Sequence, residues 1–592
     1  MNNRRLIATL VVLMGLMLLT GACSSGAERP WLQPPDWSRG LQVGTSPLST
    51  RVTFDLDDDG NVYFFYFSGE DNDDPDLQVT ALGTDGQIAW DHTIPMSLRL
   101  PRQPRIINDG DALQLFWISN QTLFTMRIGL DGDILRQPQQ ISGQYVAFAM
   151  DVLLHPEEGL IVWFGGSRQQ PGIYAYAPDD YYGRPVLIDE LGTRPDLLLG
   201  SDGVLHAAWS HDPSGYEERG IYYARFPEMD YGASQGALVA PLVSGVSAVL
   251  DGPWLGQSGD AMLVLWNLSV MTGLEAGRMT TEYVVIPAEG VQEGFQQRPT
   301  ILYVPSDYHE PSRQEATLLQ TGERVWLDDV EDGYSAVIQE LSITDFNGAE
   351  LAIAMEAKVD FLRHKEEFQI AILFFEAGQP TSYQLITFNA ASSRLPYLSD
   401  DDDGYLYLTW IQRAEEEGNL IFFGTTNPEL RESISQFDGA DAVNVGSDIL
   451  FGLFSGMILT PIGIVWLLVP MVVIALTSMI RKEDEPFFAL GTLISAVLAM
   501  ASYWYGKYFT LQILDMTGYV PFSAWIPQIG NQQANLLRIL VPSVIFVLSA
   551  IFAYRQTYGK ENRSILFFML FYSLVDSLLS LAVYGLLIYG AA

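Results

Sequence analysis

Between residues 41 and 430 the chain alternates short apolar stretches with turns rich in Asp, Gly and Pro. This is the pattern of strands, whose side chains point to opposite faces with a period of two. Six segments align on an aromatic strand end: VTFDLDDDGNVYFFY at Tyr66, PRIINDGDALQLFW at Trp117, MDVLLHPEEGLIVW at Trp163, PDLLLGSDGVLHAAW at Trp209, PWLGQSGDAMLVLW at Trp266 and PYLSDDDDGYLYLTW at Trp410. Each reads as a strand, an Asp/Gly turn and an alternating strand, and several copies open on Arg or Pro, as at Arg194-Pro195, Arg298-Pro299 and Arg394-Leu395-Pro396. The intervals are 51, 46, 46, 57 and 144 residues. The last is three periods long, which predicts two degenerate copies, one around Trp326 and one near Phe374. A repeat of about 49 residues with three or four strands predicts an all-β propeller, because one such unit cannot bury its apolar faces alone. Eight blades fit the spacing, and seven fit nearly as well.

From residue 448 the pattern changes to long apolar runs. Ile449 to Ile480, Phe487 to Tyr505, Asn535 to Tyr554 and Ser564 to Ile588 are each long enough to cross about 30 Å of hydrocarbon, which predicts a bundle of four transmembrane helices. Arg481 and Lys482 follow the first run, and Arg555, Lys560 and Arg563 separate the last two. Positive residues stay on the cytoplasmic side, so the propeller and the C-terminus are predicted outside.

The first residues agree by an independent route. Arg4 and Arg5 precede an apolar run from Leu6 to Leu19 and then Leu19-Thr-Gly-Ala-Cys23, the parts of a secretory signal. Leu-Thr-Gly-Ala before the single cysteine resembles the lipobox of bacterial lipoproteins, with Thr20 where that motif has Leu, Val or Ile. The resemblance implies cleavage after residue 22 and lipidation of Cys23. The predicted order is therefore a signal over 1–22, a lipidated linker over 23–40, an extracytoplasmic propeller over 41–430, a linker over 431–447 and a membrane domain over 448–592, in a bacterial cell membrane. With one cysteine there is no intramolecular disulfide, so burial and hydrogen bonding alone must hold the exported part.

The 592 residues carry a net charge of −39, and the part after residue 445 is balanced, with seven acidic and seven basic residues. Leaving out Arg4 and Arg5, the exported region alone carries −41. Such a surface repels nucleic acid, which is excluded as a partner. The recurrence of Pro, an apolar strand, an Asp-Gly turn and a strand ending in Trp resembles the sialidase-like class of propellers, while LQVTALGTDGQIAWDHTIP resembles the repeats of quinoprotein-type propellers. The Ser-x-Asp-x-Gly-x-x-Trp box of sialidases is absent, the glycine of Ser399 to Gly404 coming one place late, so sialidase activity is not implied.

Candidate chemistry is sparse. Asp55, Asp57 and Asp59, followed by Gly60, have the spacing of the start of a calcium loop, with Tyr66 where an EF-hand has its bidentate Glu. Calcium is thus the candidate cofactor, and Ser399 to Gly404 is the equivalent hairpin of the last blade; the competing expectation is that Asp and Gly are there to make turns. Gly232-Ala-Ser234-Gln-Gly236 matches a nucleophile elbow by letter but lacks the strand and helix that chemistry needs. His206 and His211 are five apart on one strand, hence on opposite faces, and the six histidines form no cluster. Tyr181, Tyr182, Tyr216 and Tyr308 are candidates for stacking on a sugar. Asp576 is the one acidic residue deep in a span, with Ser573, Ser577, Ser580 and Tyr584 on its side of the helix. No basic residue of another span is expected at its depth, so it is predicted to be protonated within the bundle, to handle a proton or ion, or to meet a partner's cation. The function class this supports is a cell-surface binding or sensing module with a glycan or peptide ligand on the propeller and lipid around the helices. The rivals are a membrane-anchored glycan hydrolase, favoured by carboxylates and Arg converging in the propeller mouth, and an accessory subunit joined to a membrane-protein partner through the helix bundle.

Overall fold

The computed structural model describes residues 34–436 apart from 70–71, 73, 213–218, 232–235, 243–247, 272–275, 288, 292–294, 296, 306–321, 330–333, 336, 347–349, 363–364, 388–390 and 415–417. It further describes 466–476, 479, 490–513, 531–557 and 565–589. Two compact units result, Leu32–Gln436 and a second that joins Met1–Trp31 to Phe437–Ala592.

In the first unit, seven antiparallel sheets of four or five strands follow one another along the chain, besides a two-stranded pair of Val304–Pro305 with Tyr334–Ser335. In each of the seven the chain runs outward from an innermost strand, with an outer strand supplied from earlier in the chain in two of them. Those inner strands are Thr53–Leu56, Arg102–Asn108, Ala149–His155, Gly192–Leu199, Ala248–Ser258, Ile338–Phe346 and Ser393–Asp400. Each touches the next, and the seventh touches the first, which makes a closed ring of seven blades. Eight units had fitted the spacing; the eighth is absent because Trp326 and Phe374, expected to mark two copies, belong to one sheet. Val325–Trp326 pairs with the outer strand Gln379–Leu385 of blade 6, and Phe374 lies in that blade's third strand, Lys365–Glu376. The second and third strands of blade 6, of 13 and 12 residues, stretch the period.

Blade 7 is completed from the far end of the chain. Leu41–Ser46 pairs antiparallel with Gly418–Thr425, Leu41 opposite Phe423 and Ser46 opposite Asn419. The edge that Gly418–Thr425 would otherwise expose is thereby covered.

The core lies between blades. Trp117 packs in the cluster shared by blades 1 and 2, Trp163 and Trp209 between blades 3 and 4, Trp266 between 4 and 5, and Trp410 between 6 and 7. All five are almost fully buried. The aromatic strand ends are thus the filling between neighbouring sheets. Polar contacts add a second set of ties. Asp55, Asp151 and Asp196 each accept a backbone N–H of the next blade's inner strand, from Asn108 at 2.7 Å, Leu197 at 2.8 Å and Leu255 at 2.7 Å. Between blades 6 and 7 the hydroxyl of Ser342 accepts from Leu398 N at 2.9 Å.

The described helices are α1 (Pro428–Ile434), α2 (Trp466–Leu476), α3 (Leu490–Ile513), α4 (Asn531–Thr557) and α5 (Ile565–Tyr589). Helix α1 is capped by Asn427, whose side chain accepts from Glu429 N and Leu430 N. Among the described residues one helix, over Asn535–Thr557, is long and apolar enough to cross a membrane. In the second unit Trp466, Ala499, Tyr503, Ala553, Met569 and Tyr572 form a common core.

Candidate functional site

The seven inner strands start at one end of the ring, and there they enclose a cavity of about 280 Å³. Its wall takes residues from every blade, among them Arg51, Arg102, Arg105, Arg194, Asp196, Asp251, Trp254, Glu340 and Leu395. A repeated backbone device aims these side chains. The pairing of the inner strand with its neighbour shifts register between Arg102 and Arg105, Thr193 and Asp196, Asp251 and Trp254, Gln339 and Ser342, and Arg394 and Tyr397. Within each shift one residue takes a positive φ: Gln103 at 49°, Arg194 at 54°, Gly252 at 94°, Glu340 at 55° and Leu395 at 55°. Five blades therefore carry the same bulge, which breaks the pleat where the strand reaches the mouth and sets Gln103, Arg194, Gly252, Glu340 and Leu395 on the cavity wall. In four of them proline follows the left-handed residue, at Pro104, Pro195, Pro253 and Pro396.

Opposite charges interleave on this wall. Arg51 Nη2 lies 3.3 Å from Glu340 Oε2 and donates to Leu341 O at 3.1 Å. Arg105 Nη2 lies 3.4 Å from Asp151 Oδ1, and its guanidinium sits over the Tyr397 ring. Arg194 Nη1 pairs with Asp251 and donates to the Leu250 carbonyl. Arg102 stacks on Phe148, 4.4 Å from the ring centre, and among the described residues it meets no carboxylate. Burial raises the carboxyl of Asp196 well above the usual range, and the neighbouring charge of Asp151 pushes it further. Asp151 is itself raised by burial, against the pull of Arg105. Glu340 is raised by burial, which Arg51 partly offsets. Burial thus pushes the carboxyls of this wall toward their neutral form, beside the guanidiniums of Arg51, Arg102, Arg105 and Arg194.

The carboxylates read as a calcium loop do not converge. Asp55 turns inward to Asn108 N and Leu56 N. Asp57 locks its own hairpin, accepting from Asn61 N at 2.8 Å and from the Tyr63 hydroxyl at 2.8 Å, and Asp59 is exposed. Asp401 repeats this lock in blade 7, accepting from Tyr405 N at 2.8 Å and the Tyr407 hydroxyl at 2.7 Å. Among the described residues no group of three or more His, Cys, Asp or Glu is placed to hold a metal ion. His206 contacts the Tyr223 hydroxyl at 2.6 Å, while His211 contacts Asp189 at 2.7 Å and stacks on Tyr222. Tyr181 packs on Phe116 away from the mouth, and Tyr182 lies under Arg136. Cys23, Ser234, Tyr216 and Tyr308 lie outside the described residues.

In the helical unit the expectation for Asp576 is corrected. Its Oδ2 lies 2.7 Å from Lys507 Nζ and accepts the Tyr503 hydroxyl at 2.8 Å, with both partners on α3. Lys507 also donates to Ser580 Oγ at 2.6 Å, and the Tyr503 hydroxyl is 3.1 Å from Ser577 Oγ. Ser573 is satisfied within α5 by Leu570 O. The apolar run ends at Tyr505, which leaves Lys507 out of the second span, whereas α3 runs on to Ile513 and includes it. Tyr503 and Lys507 are four apart, as are Asp576 and Ser580, so each pair shares one face of its helix. A partner's cation is not needed at Asp576, because this chain supplies its own.

No family model matches the chain, and no curated protein matches it. Solved structures resemble it as propellers. A polysaccharide lyase shares 9% identity at a TM-score of 0.40, over 64% of this chain and 90% of that one. Trypanosoma rangeli sialidase in complex with the inhibitor DANA shares 13% at 0.32, over 68% and 61%. The α-L-arabinofuranosidase of Fusarium graminearum shares 11% at 0.34, over 54% and 91%. At these identities and scores the likeness says nothing of substrate.

Proposed function

We propose that this protein is an extracytoplasmic binding module whose small ligand seats in the axial mouth of the propeller, held at a bacterial membrane by a lipidated Cys23 and a four-helix domain. The observation that carries the reading is the cavity: five blades repeat the same bulge around one concave site lined by four guanidiniums and three carboxyls, which is where convergent loops and strand ends ordinarily bind. The test is a thermal-shift screen of soluble glycans and peptides against the full chain in nanodiscs, repeated with Trp254→Ala and Glu340→Gln. Hits lost in both variants support the mouth; hits indifferent to both overturn it.

The membrane assignment is supported by the inverted polarity of the helical unit. Leu468, Val472, Ile494, Val497, Ile539 and Leu574 are among many large apolar side chains left exposed, while Lys507, Ser549, Ser573, Asp576, Ser577 and Ser580 are buried. Water would penalise that arrangement and hydrocarbon favours it. Retention in the membrane pellet after alkaline carbonate is the expected result; release into the supernatant defeats the assignment. Loss of palmitate labelling on Cys23→Ser tests the lipid anchor.

A second reading, a glycan-cleaving enzyme at the same mouth, is favoured by Asp196, a carboxyl on the cavity wall whose hold on its proton is strengthened by burial, the direction a general acid needs. It requires turnover of a polysaccharide that Asp196→Asn abolishes while binding is kept.

A further inference from the structure

The mouth can be read for the charge of what it takes, an inference that rests on the axial cavity being the binding site. Four guanidiniums line it, Arg51, Arg102, Arg105 and Arg194, against the carboxyls of Asp196, Asp251 and Glu340. Arg51 is matched by Glu340, Arg194 by Asp251, and Arg105 by Asp151 behind the wall. Asp196 has a backbone N–H as its partner, from Leu255, and no guanidinium in direct contact among the described residues. Arg102 is left over, half-buried with its guanidinium carbon over the Phe148 ring, and with its donors free of protein acceptors among the described residues. Arg51 also keeps a buried Nε without a partner. A planar fork stacked on a ring and offered to a cavity is pre-organised for an oxyanion.

We infer that the ligand of the mouth carries one compact oxyanion, a carboxylate or a sulfate, on a small polar body, with the anion seated on Arg102 and the body's hydroxyls facing Asp251 and Glu340. The cavity volume, about 280 Å³, lies at the lower limit of ordinary small-molecule sites and suits one sugar-sized unit. The surroundings sharpen the selection. The chain's net charge of −39 repels polyanions over their whole length, whereas a single charge inside the cavity meets the local guanidiniums at distances shorter than the roughly 8–10 Å over which salt screens. The site therefore admits a monoanion and turns away an extended acidic polymer.

The experiment is ligand-detected NMR on the full chain in nanodiscs with glucuronate, glucose 6-sulfate and glucose as probes, for the wild type, Arg102→Ala, Arg102→Lys and Trp254→Ala. The expected result is that one or both acidic probes bind about ten-fold or more tightly than glucose, that Arg102→Ala removes this preference, and that Arg102→Lys restores part of it. The pair of acidic probes tells a carboxylate from a sulfate ester. If glucose binds as well as the acidic probes and all binding is lost in Trp254→Ala, the charge inference fails while the mouth remains the site. If no probe binds, or if binding ignores both Arg102 and Trp254, the charge inference fails and the mouth loses its support as well.

Discussion

Acid should stabilise this propeller, and two buried aspartates let the effect be measured. Burial raises the carboxyl of Asp55 from 3.8 to about 6, against two backbone N–H donors, and raises that of Asp345 to about 6 as well. A carboxyl whose folded value lies above its unfolded one holds its proton more tightly when folded. Its contribution is therefore complete below the unfolded value, near 4, and is lost as pH rises through about 6. Between pH 7.5 and pH 5 each group adds roughly 1.4 kcal/mol, about 3 kcal/mol for both, since they lie in different blades and should add. For a unit the size of Leu32–Gln436 that is a rise of roughly 3 °C in melting temperature. The perturbation is the double variant Asp55→Asn with Asp345→Asn, which cannot titrate at these positions. Discharge of the acidic surface on acidification stabilises wild type and variant alike, so the difference between their pH slopes isolates the two buried groups. Differential scanning calorimetry of the full chain at pH 7.5 and pH 5 should give a wild-type melting temperature that climbs by about 3 °C more than the variant's. Equal slopes, or a wild type that loses stability at pH 5, refute the reasoning.

Three further outcomes follow from packing. Trp209→Ala, at a side chain 1% exposed between blades 3 and 4, should cost about 3–5 kcal/mol by chemical denaturation, whereas Trp326→Ala, half exposed on the edge of blade 6, should cost under about 1 kcal/mol. Lys507→Met or Asp576→Leu alone should destabilise the helical unit by roughly 3–5 kcal/mol in detergent, because each leaves an unpaired buried charge, and the double variant should recover most of the loss. Deleting residues 41–46 should leave Gly418–Thr425 as an open edge and convert the purified protein to soluble aggregates on size exclusion; a monodisperse product would show that the ring does not depend on that strand.

The blade repeat was legible because one tryptophan per unit must fill the gap between sheets, and five of those positions are buried where the alignment put them. Blade 6 was not, since its second strand, ELAIAMEAKVDFL, has no tryptophan and its early edge strand Val325–Trp326 imitates a unit of its own. At the mouth, the repeat marks Arg194 as a blade opener and leaves Arg51, Arg102, Arg105 and Glu340 unmarked. Their convergence depends on where seven strands begin in space. A usable trace did exist in the repeated X-Pro pairs ending at Pro104, Pro195, Pro253 and Pro396, because a proline after a bulged residue ends normal pairing. The carboxylates of Asp57 and Asp401 show a different ambiguity: alternate Asp residues before Gly suit an ion loop and a self-locking hairpin equally, and the hydrogen bonds from the tyrosine six residues on, Tyr63 or Tyr407, belong to the hairpin.

The strand that completes blade 7 also sets how the ring answers to force. Ser38 N donates to Thr425 O at 2.7 Å and Leu41 pairs opposite Phe423, so the chain enters near Ser38 and leaves just past Thr425 at the same end of one antiparallel ladder. Tension between those two points is borne by a single pair of hydrogen bonds at a time, as in a zip, instead of by the whole ladder in shear. A pull on the two ends of the propeller should accordingly open the ring at low load, from Ser38 toward Ser46, while the other six blades keep their sheets.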